Sequence, residues 1–415
     1  MNMDMDMDMD MNKKLNMNAK MKKHADYYRK HLLNDIMPFW DERCIDTDFG
    51  GYQINFDRFG NPTDTDKYNW FQARQTYVYG FLYNEIENRE TWLNNARHGY
   101  MYLKHRAYQN DGRFAYHSDQ KGSVKVGTIS VFTDCYAVQA ISEYFRAAGG
   151  DDVFKFLNEC YDALERNIMD PLFKDIYENT WSEKFIWHDL YLTALSAADT
   201  ASDTLGPERA KKLIDYCLDK IWNWFVRKDY ILVFEAVGRD KTIYIDDVHG
   251  SFINPGHALE SMWFCLNIAN KRNDTEMIQK ALEVVKWMAN VGIDTLHGGI
   301  FSYLNAKGGT PDPIDWFKAT DSLWDDKVWW VHAESLACFA ISYALSGGDD
   351  YYMERFEALH EFCREYFYDD VHGEWYERLH RDGSVKNPDK GTMWKSAYHL
   401  ARSVIFVIKY FDKEG

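Results

Sequence analysis

The sequence repeats one kind of segment six times, and this repeat restricts the fold more than any other feature. Each copy is short and rich in glycine and aromatic residues, and several copies have the strand pattern and the Gly or Asp-Gly turn of a β-hairpin. The six segments begin at Phe49, Gly112, Asp175, Tyr230, His297 and His372. They recur at intervals of roughly 55 to 75 residues, which leaves room for two helices between neighbours.

The stretches between these segments have apolar residues at helical spacing, as in residues 77–108 and 277–293. Six pairs of helices can bury their apolar faces by closing into a ring, with the six segments at one rim. We therefore predict an all-α fold, an (α/α)6 barrel with short β-hairpin loops at one rim. An open superhelical solenoid is the competing arrangement. Residues 1–22 are predicted to be a low-complexity disordered tail and residues 23–415 a single barrel domain.

The composition argues against several partners and compartments. A formal net charge of −17 is unsuited to nucleic acid, which requires a basic field. The aromatic content of 16% favours a surface on which sugar rings stack, although most aromatic side chains fill protein cores. The seven cysteines stand singly, as buried thiols do in a reducing compartment. Without a long apolar run or a signal-peptide core, we expect a cytoplasmic protein with no membrane partner.

The segment INPGHALESMWF, residues 253–264, contains the first candidate for chemistry. Asn254 is a good N-cap and Pro255 suits the first helical position, so we predict that a helix begins here. His257 then lies in the first turn, and Glu260 shares its face. Because a helix N-terminus disfavours imidazolium, we expect His257 to be neutral and able to accept a proton. A capped core helix with a hydrogen-bonded histidine is the alternative.

Three further segments combine polar and aromatic residues at helical spacing. Residues 390–403 crowd five such side chains together, which is costly to bury for packing alone. Residues 326–336 contain two adjacent tryptophans, one of which is predicted to stack on the ligand, and residues 64–80 contain an arginine that can stabilise negative charge. Core packing and an ordinary surface arginine are the alternatives. The residues concerned are Trp394, Lys395, Tyr398, His399, Arg402, Trp329, Trp330, His332, Glu334, Trp70 and Arg74.

Two histidines and an arginine suit one kind of reaction. Removing the proton beside an aldehyde creates an enediolate, which needs a base titrating near neutrality, a group that stabilises the oxygens, and an acid on the other face. His257, His399 and Arg74 meet these needs without a cofactor or a metal. The predicted partner is therefore a small sugar.

Several motifs resemble the N-acylglucosamine 2-epimerase family, and the resemblance runs from about Phe39 to the C-terminus. The motifs are DTDFGGYQINFDRFGN, DTDKYNWFQARQ, FTDCYAVQAISEY, INPGHALESMWF, VWWVHAE and GEWYERLHRDG. This resemblance implies an (α/α)6 barrel and an isomerase that acts on a free sugar at carbon 2. Members of the family epimerise N-acylglucosamine and N-acylmannosamine, epimerise cellobiose and related glucosides, or isomerise mannose and fructose.

By resemblance, the catalytic residues are His257, His399 and Arg74, with Glu260 as their acidic partner. The resemblance also places substrate-lining aromatic residues at Trp70, Tyr116, Trp330 and Trp394. To these the motif analysis adds Asn254, His332, Glu334 and Arg402 as substrate-binding residues. The family further implies a homodimer, and nucleotide activation is known among its acetylhexosamine epimerases, although the chain has no convincing phosphate-cradling glycine loop.

The substrate is not fixed by these motifs. The N-terminal third is most similar to the N-acetylhexosamine branch, whereas WKSAYHLAR looks more like the cellobiose or mannose branches. His188 and His249 match neither branch well, and their roles are open. We expect an N-acylglucosamine 2-epimerase, with a cellobiose 2-epimerase or a mannose isomerase as the alternative.

Three other functions are weighed beside these. An inverting glycoside hydrolase on the same fold would use two carboxylates, for which Glu260, Glu334 and Asp246 are candidates. A metal-dependent isomerase would use Asp246, Asp247 and His249, but no spaced ligand set supports it. A sugar-binding protein without catalysis is the third.

Overall fold

Helices of the chain alternate between an inner and an outer ring. The computed structural model describes residues 2–173, 184–315, 318 and 321–412, with side chains from Met17 onward. Within these residues it contains α1 (Asn2–His31), α2 (Met37–Arg43), α3 (Asn69–Glu85), α4 (Glu90–Tyr102), α5 (Val131–Ala148), α6 (Asp151–Met169), α7 (His188–Leu205), α8 (Pro207–Lys220), α9 (Pro255–Arg272), α10 (Thr275–Gly292), α11 (Trp329–Leu345), α12 (Asp350–Phe362) and α13 (Tyr398–Phe411).

The inner ring is closed. It consists of α3, α5, α7, α9, α11 and α13, in which each helix packs on the next and α13 packs on α3. Each inner helix also packs on an outer one: α4, α6, α8, α10, α12 and finally α1, which pairs with α13. Closure confirms the predicted (α/α)6 barrel and excludes the open solenoid. Inner helices such as α3 are buried on all faces over 69–82, whereas outer helices such as α6 bury one stripe.

Helix α1 joins the two ends of the chain. Lys22 and Arg29 both donate to Asp412, at 2.8 Å each, so the first helix is tied to the end of the last. In the structure, α1 begins at Asn2, within the predicted tail of residues 1–22, and Met21 lies in the core at 6% exposure. Met21 belongs to the hydrophobic core and Met17 packs against it. The domain boundary at residue 23 stays a prediction. Disorder of residues 1–16 stays a prediction, because their side chains lie outside the described residues.

Short antiparallel strands form the loops before the inner helices. They are β1 (Asn55–Phe56), β2 (Pro62–Asp64), β3 (Lys67–Tyr68), β4 (His117–Ser118), β5 (Val124–Val126), β6 (Phe185–Trp187), β7 (Val226–Arg227), β8 (Leu232–Val233), β9 (Ala236–Gly238), β10 (Phe252–Ile253), β11 (Leu304–Asn305), β12 (Lys327–Val328), β13 (Arg378–Leu379) and β14 (Val385–Asn387). They pair as β1-β2, β3-β4-β5, β6-β9, β7-β8, β10-β11 and β12-β13-β14. The predicted segment that begins at Asp175 lies largely outside the described residues.

The same kind of aspartate–lysine ion pair occurs at three of the repeated loops. Asp294 accepts backbone bonds from Leu296 and His297 at the turn, and its other oxygen accepts from Lys327 at 3.0 Å. Asp46 with Lys67 (2.7 Å) and Asp369 with Lys390 (3.1 Å) repeat this arrangement. Lys67 lies in β3 just before α3, and Lys327 lies in β12 just before α11. All three lysines are buried. The aspartates therefore fix the loops against the rim of the barrel.

All seven cysteines are free and buried, as predicted. Among the described residues, helices that are both long and apolar enough to cross a bilayer do not occur.

We predict that the variant Asp294→Asn is strongly destabilised. The asparagine keeps the oxygen that caps the turn but removes the negative charge. Lys327 is then buried without the carboxylate that it contacts, and Arg381 loses the carboxylate to which it donates at 2.7 Å. Breaking a buried pair in this way costs about 3 to 5 kcal/mol, measured by urea unfolding. Glu276→Gln, which breaks the exposed Glu276–Lys280 pair, is the matched control and should unfold like the parent chain. Equal unfolding midpoints for the two variants would contradict this prediction.

Candidate active site

One cavity of about 280 Å³ opens at the N-terminal ends of the inner helices. This size is just below the usual range for small-molecule sites, about 300 to 1,000 Å³, and suits a single small ligand. Its wall is both aromatic and charged. The lining side chains include Trp70, Arg74, Tyr136, Trp187, Asp189, Glu235, Asn254, His257, Glu260, Trp330, Glu377, Arg378, Trp394 and His399.

His257 is held by a helix cap and by a carboxylate. As predicted, Asn254 is the N-cap of α9 with Pro255 at its start, and its side-chain oxygen accepts from the backbone nitrogen of His257 at 3.1 Å. The imidazole Nδ1 lies 2.9 Å from Oε1 of Glu235, which stands between β8 and β9. Because this bond occupies Nδ1, Nε2 is the nitrogen that remains for a ligand.

His399 is held by a second buried glutamate. Its Nδ1 lies 2.7 Å from Oε1 of Glu334, and the same oxygen accepts from Nη2 of Arg402 at 2.6 Å. Arg402 also donates to Glu260, and Trp263 donates to the other oxygen of Glu334 at 3.0 Å. The Glu334 carboxylate is therefore shared between an imidazole, a guanidinium and an indole.

The two histidines differ in charge because the charged groups around them differ. Burial lowers the pKa of His257, but the Glu235 carboxylate outweighs burial and raises it to about 9. Burial also lowers the pKa of His399, and the Arg74 guanidinium lowers it further, to well below its ordinary value. At neutral pH the site therefore contains one imidazolium and one neutral imidazole.

The expected neutral state of His257 is therefore wrong. The helix N-terminus does oppose imidazolium, but it contributes only about 0.3 to 1 kcal/mol. A buried carboxylate at 2.9 Å is the stronger influence, and it lies 22 positions earlier in the chain.

Trp330 is adjacent to both imidazoles. Its ring centroid is 5.0 Å from that of His257 and 5.6 Å from that of His399. Gly256 permits this position, since a Cβ there would lie 2.8 Å from the Trp330 ring. One indole in contact with both imidazoles places them close enough to flank a single sugar.

Arg74 supplies positive charge to the cavity. It is 6% exposed, stacks over Tyr136 with its Cζ at 4.1 Å from the ring centroid, and donates to the Tyr136 hydroxyl at 2.5 Å. Among the residues that the structure describes, no carboxylate pairs with this guanidinium within 4.0 Å, and its Nε has no hydrogen-bond partner. A buried and unneutralised cation of this kind favours an anionic group in the cavity.

A family model described as N-acylglucosamine 2-epimerase (GlcNAc 2-epimerase) matches residues 50–403. The chain belongs to the N-acylglucosamine 2-epimerase family. This finding confirms the resemblance seen in the motifs and, with it, the prediction of an isomerase of the sugar epimerase class.

Individual relatives within and near this family cover most of the chain. The N-acylglucosamine 2-epimerase of Bos taurus is 27% identical over 382 residues, which cover 89% of this chain and 87% of that protein. The cellobiose 2-epimerase of Bacteroides fragilis is 25% identical over 398 residues, with 91% and 96% covered. The solved cellobiose 2-epimerase from Bacillus thermoamylovorans B4167 has a TM-score of 0.79 at 20% identity, with 94% and 99% covered, and shows the same fold.

Eight of the predicted site residues line the cavity of this family member. They are His257, His399, Arg74, Glu260, Trp70, Asn254, Trp330 and Trp394. They come from four inner helices and from the loops before two of them, so the barrel brings together residues that are far apart in the chain. Their catalytic and binding roles stay predictions.

Four predicted substrate-binding residues lie behind the wall instead. His332 is fully buried, with Nδ1 on the carbonyl of Val328 and Nε2 accepting from the backbone of Ile300, and burial lowers its pKa to about 3. Glu334 and Arg402 contact His399 and Glu260 rather than the cavity. Tyr116 packs behind Trp70, with centroids 6.2 Å apart. None of the four lines the cavity, and their roles in substrate binding stay predictions.

Glu235 is the main residue that the sequence analysis overlooks. Its only local signal is a single carboxylate within the apolar run ILVFEAV, which is costly to bury without a partner. Trp187 and Asp189, which flank His188 in the sequence, also line the cavity. His249 does not line it but packs against Trp187, with centroids 5.6 Å apart.

We predict that Glu235→Gln moves the alkaline limb of the kcat/KM profile to lower pH. The carboxylate raises the pKa of His257 to about 9, so its removal lets that pKa fall toward the ordinary 6.5. His257 then loses its proton at lower pH, so the midpoint of the alkaline limb should move down by about one to two pH units. Glu377→Gln, which neutralises another buried carboxyl of the cavity, should leave the limb in place. An unchanged limb in Glu235→Gln would show that His257 is not the group that titrates.

Proposed function

We propose that the chain interconverts N-acylglucosamine and N-acylmannosamine by moving a proton at carbon 2 between His399 and His257. The observation that carries this proposal is the pair of glutamate-held imidazoles on one cavity, with Trp330 in contact with both. Opposite protonation of the two rings is what a two-sided proton transfer requires.

The reaction starts from the open-chain aldehyde. Neutral His399 removes the proton from carbon 2, and the electron pair of that bond moves toward the carbonyl oxygen. The product is the enolate form of the enediolate mechanism, since carbon 2 of an N-acyl sugar carries nitrogen. Protonated His257 then gives its proton to the opposite face of carbon 2, which inverts the centre. The reverse reaction uses the same two rings in exchanged roles.

Arg74 is the group that stabilises the developing negative charge. Its guanidinium is buried on the cavity wall and is not neutralised by a described carboxylate, so an oxyanion formed there gains a strong donor. Removing one donor of this kind typically costs about 10²- to 10³-fold in kcat. Trp70 and Trp394, which meet edge to face at 5.4 Å, and Trp330 offer the apolar faces for a sugar.

The N-acyl substrate is supported by similarity. The relative from Bos taurus is named an N-acylglucosamine 2-epimerase, and the matching family model bears the same name. Cellobiose is the second candidate, because the Bacteroides fragilis relative, named a cellobiose 2-epimerase, is almost as similar and is covered more completely. A mannose isomerase by the same mechanism is the third.

The chemistry proposed here uses only side chains of the chain, so we expect full activity after chelation. Among the described residues, only Glu260, Glu334 and His399 bring three ligand atoms close enough together to share a metal ion, and Nη2 of Arg402 already donates to both of these glutamates. A homodimer, nucleotide activation and a cytoplasmic location remain predictions.

Contacts of the candidate carboxylates do not support a glycoside hydrolase. Glu260 and Glu334 are both engaged by Arg402, and Asp246 is exposed and pairs with Lys307. The contacts do not support the alternative metal ligands Asp246, Asp247 and His249 either, because Asp247 accepts a hydrogen bond from Lys184 at 2.7 Å.

The substrate and the mechanism can be tested together in deuterated water. Incubation with N-acetylmannosamine, mannose and cellobiose, followed by NMR, should give N-acetylglucosamine with deuterium at carbon 2. Fructose formed from mannose would favour the isomerase, and epimerised cellobiose would favour the second candidate. An epimer without deuterium would contradict proton exchange at carbon 2, and no product from any sugar would favour a binding protein.

Replacing either histidine singly should separate exchange from epimerisation. His257→Asn and His399→Asn should each slow conversion by about 10²- to 10⁴-fold, the contribution of a positioned acid or base. Each variant should still exchange the carbon 2 hydrogen of one epimer with solvent, and the two variants should differ in which epimer exchanges. Loss of exchange from both epimers in only one variant would indicate a single histidine acting on both faces.

A further inference from the structure

Lys395 is a fully buried lysine that the proposed reaction does not use. Its side chain does not line the cavity, although its neighbour Trp394 does. Nζ donates to the carboxylate of Glu374, which is equally buried, and to the backbone carbonyl of Lys390 at 2.9 Å. Taking two charges out of water is costly, so a buried pair of this kind is weak evidence for a role in stability.

The backbone at Glu374 has a conformation that its side chain disfavours. Its φ is +57°, in the left-handed region. Two other repeated loops have glycine at this position, five residues after the aspartate of their ion pair: Gly51 at φ +72° and Gly299 at φ +67°. A non-glycine residue held in this region is strained, and such strain points to a use for the side chain. The cation that contacts the Glu374 carboxylate is Lys395.

The contacts of Lys395 close the loop that carries Trp394. This loop, between β14 and α13, is outside the regular helices and strands. The backbone nitrogens of Trp394 and Lys395 both donate to Oγ1 of Thr392 at 3.0 Å, and the nitrogen of Thr392 donates to the carbonyl of Lys395 at 3.0 Å. The bond from Nζ of Lys395 to Lys390 closes the same loop from the side-chain end. The backbone of Trp394 is thereby fixed.

The two neighbours lie on opposite sides of this loop. Lys395 is buried in the protein, whereas the indole of Trp394 lines the cavity and meets Trp70 edge to face at 5.4 Å. An aromatic face contacts a flat ligand well only when the ring is held at a suitable angle. The anchor on one side of the loop therefore bears on the surface that the other side offers to a sugar.

We propose that Lys395, through its ion pair with Glu374, is a positioning residue that holds Trp394 as one wall of the sugar site. This inference rests on the function proposed above, in which Trp394 contacts the sugar. Such a contact is made in the bound substrate and in the transition state alike. Its loss should therefore raise KM and leave kcat nearly unchanged.

The test is the double variant Glu374→Gly/Lys395→Met. Lys395→Met alone would leave a buried carboxylate without its cation, which confounds folding with binding. The double variant removes both charges and gives the loop the glycine that its two counterparts have, and Lys390 keeps Asp369 at 3.1 Å, so we expect it to fold. KM for N-acetylmannosamine should rise about tenfold, while kcat should change by less than about twofold.

A double-mutant cycle shows whether Lys395 acts through Trp394. Trp394→Ala should raise KM by about the same factor as Glu374→Gly/Lys395→Met. The two changes together should raise it no further, because the second removes a support whose load is already gone. Independent effects would multiply, to about a hundredfold, and this outcome would overturn the proposal.

Glu143→Gln/Arg146→Met is the matched control. It removes an ion pair with a buried carboxylate, at 2.9 Å, near the C-terminal end of α5, whereas the cavity opens at the N-terminal ends of the inner helices. The control should change the melting temperature without raising KM. A purely structural role for Lys395 would give the same result in Glu374→Gly/Lys395→Met, and would overturn the proposal. So would failure of that variant to fold, since the pair would then serve stability.

Failure of the proposed function would look different. The parent enzyme would then form no epimer from N-acetylmannosamine in deuterated water. An active parent whose KM is unchanged in Glu374→Gly/Lys395→Met would refute the role of Lys395 alone.

Discussion

Two buried hydrogen bonds between a glutamate and a histidine fix the geometry on which the site depends. Glu235 holds Nδ1 of His257 at 2.9 Å and Glu334 holds Nδ1 of His399 at 2.7 Å, which leaves Nε2 of each ring for the ligand. The two bonds are alike in form but differ in charge. Arg402 neutralises Glu334, whereas Glu235 is left to raise the pKa of His257 to about 9. One kind of contact thus yields an acid and a base.

The packing of the inner helices brings the charged groups of the site together. Glu235 belongs to the loop before α9, and Glu334 lies on α11 while His399 and Arg402 lie on α13. The packing of α11 on α13 brings Glu334 to His399, and the packing of α13 on α3, which closes the ring, brings Arg74 to the same cavity. A buried charge is costly without its partner, so an opened barrel would lose both the fold and the site.

Local sequence rules predict the parts of this structure that depend on neighbours along the chain. The six recurring loops indicate the barrel, and Asn254 with Pro255 marks the start of α9 as the structure has it. Helical spacing fails where a face must be chosen, since it groups His332 with the aromatic residues but does not reveal that it points at the backbone of Ile300. It fails again for His257, whose charge is set by a residue on another loop. Pairings across loops carry no local signature, so the isolated carboxylate of Glu235 could not be matched to His257.

The central claim is that two imidazoles flank one sugar carbon, and a complex with an open-chain ligand tests it most directly. The alditol of N-acetylglucosamine resembles the open-chain substrate but has no proton acidified by a carbonyl, so it should bind without reacting. The account predicts a crystal structure in which carbon 2 lies about 3 to 3.5 Å from Nε2 of His257 and of His399, on opposite faces. A bound alditol whose carbon 2 approaches only one of these nitrogens, or both from the same face, would contradict it.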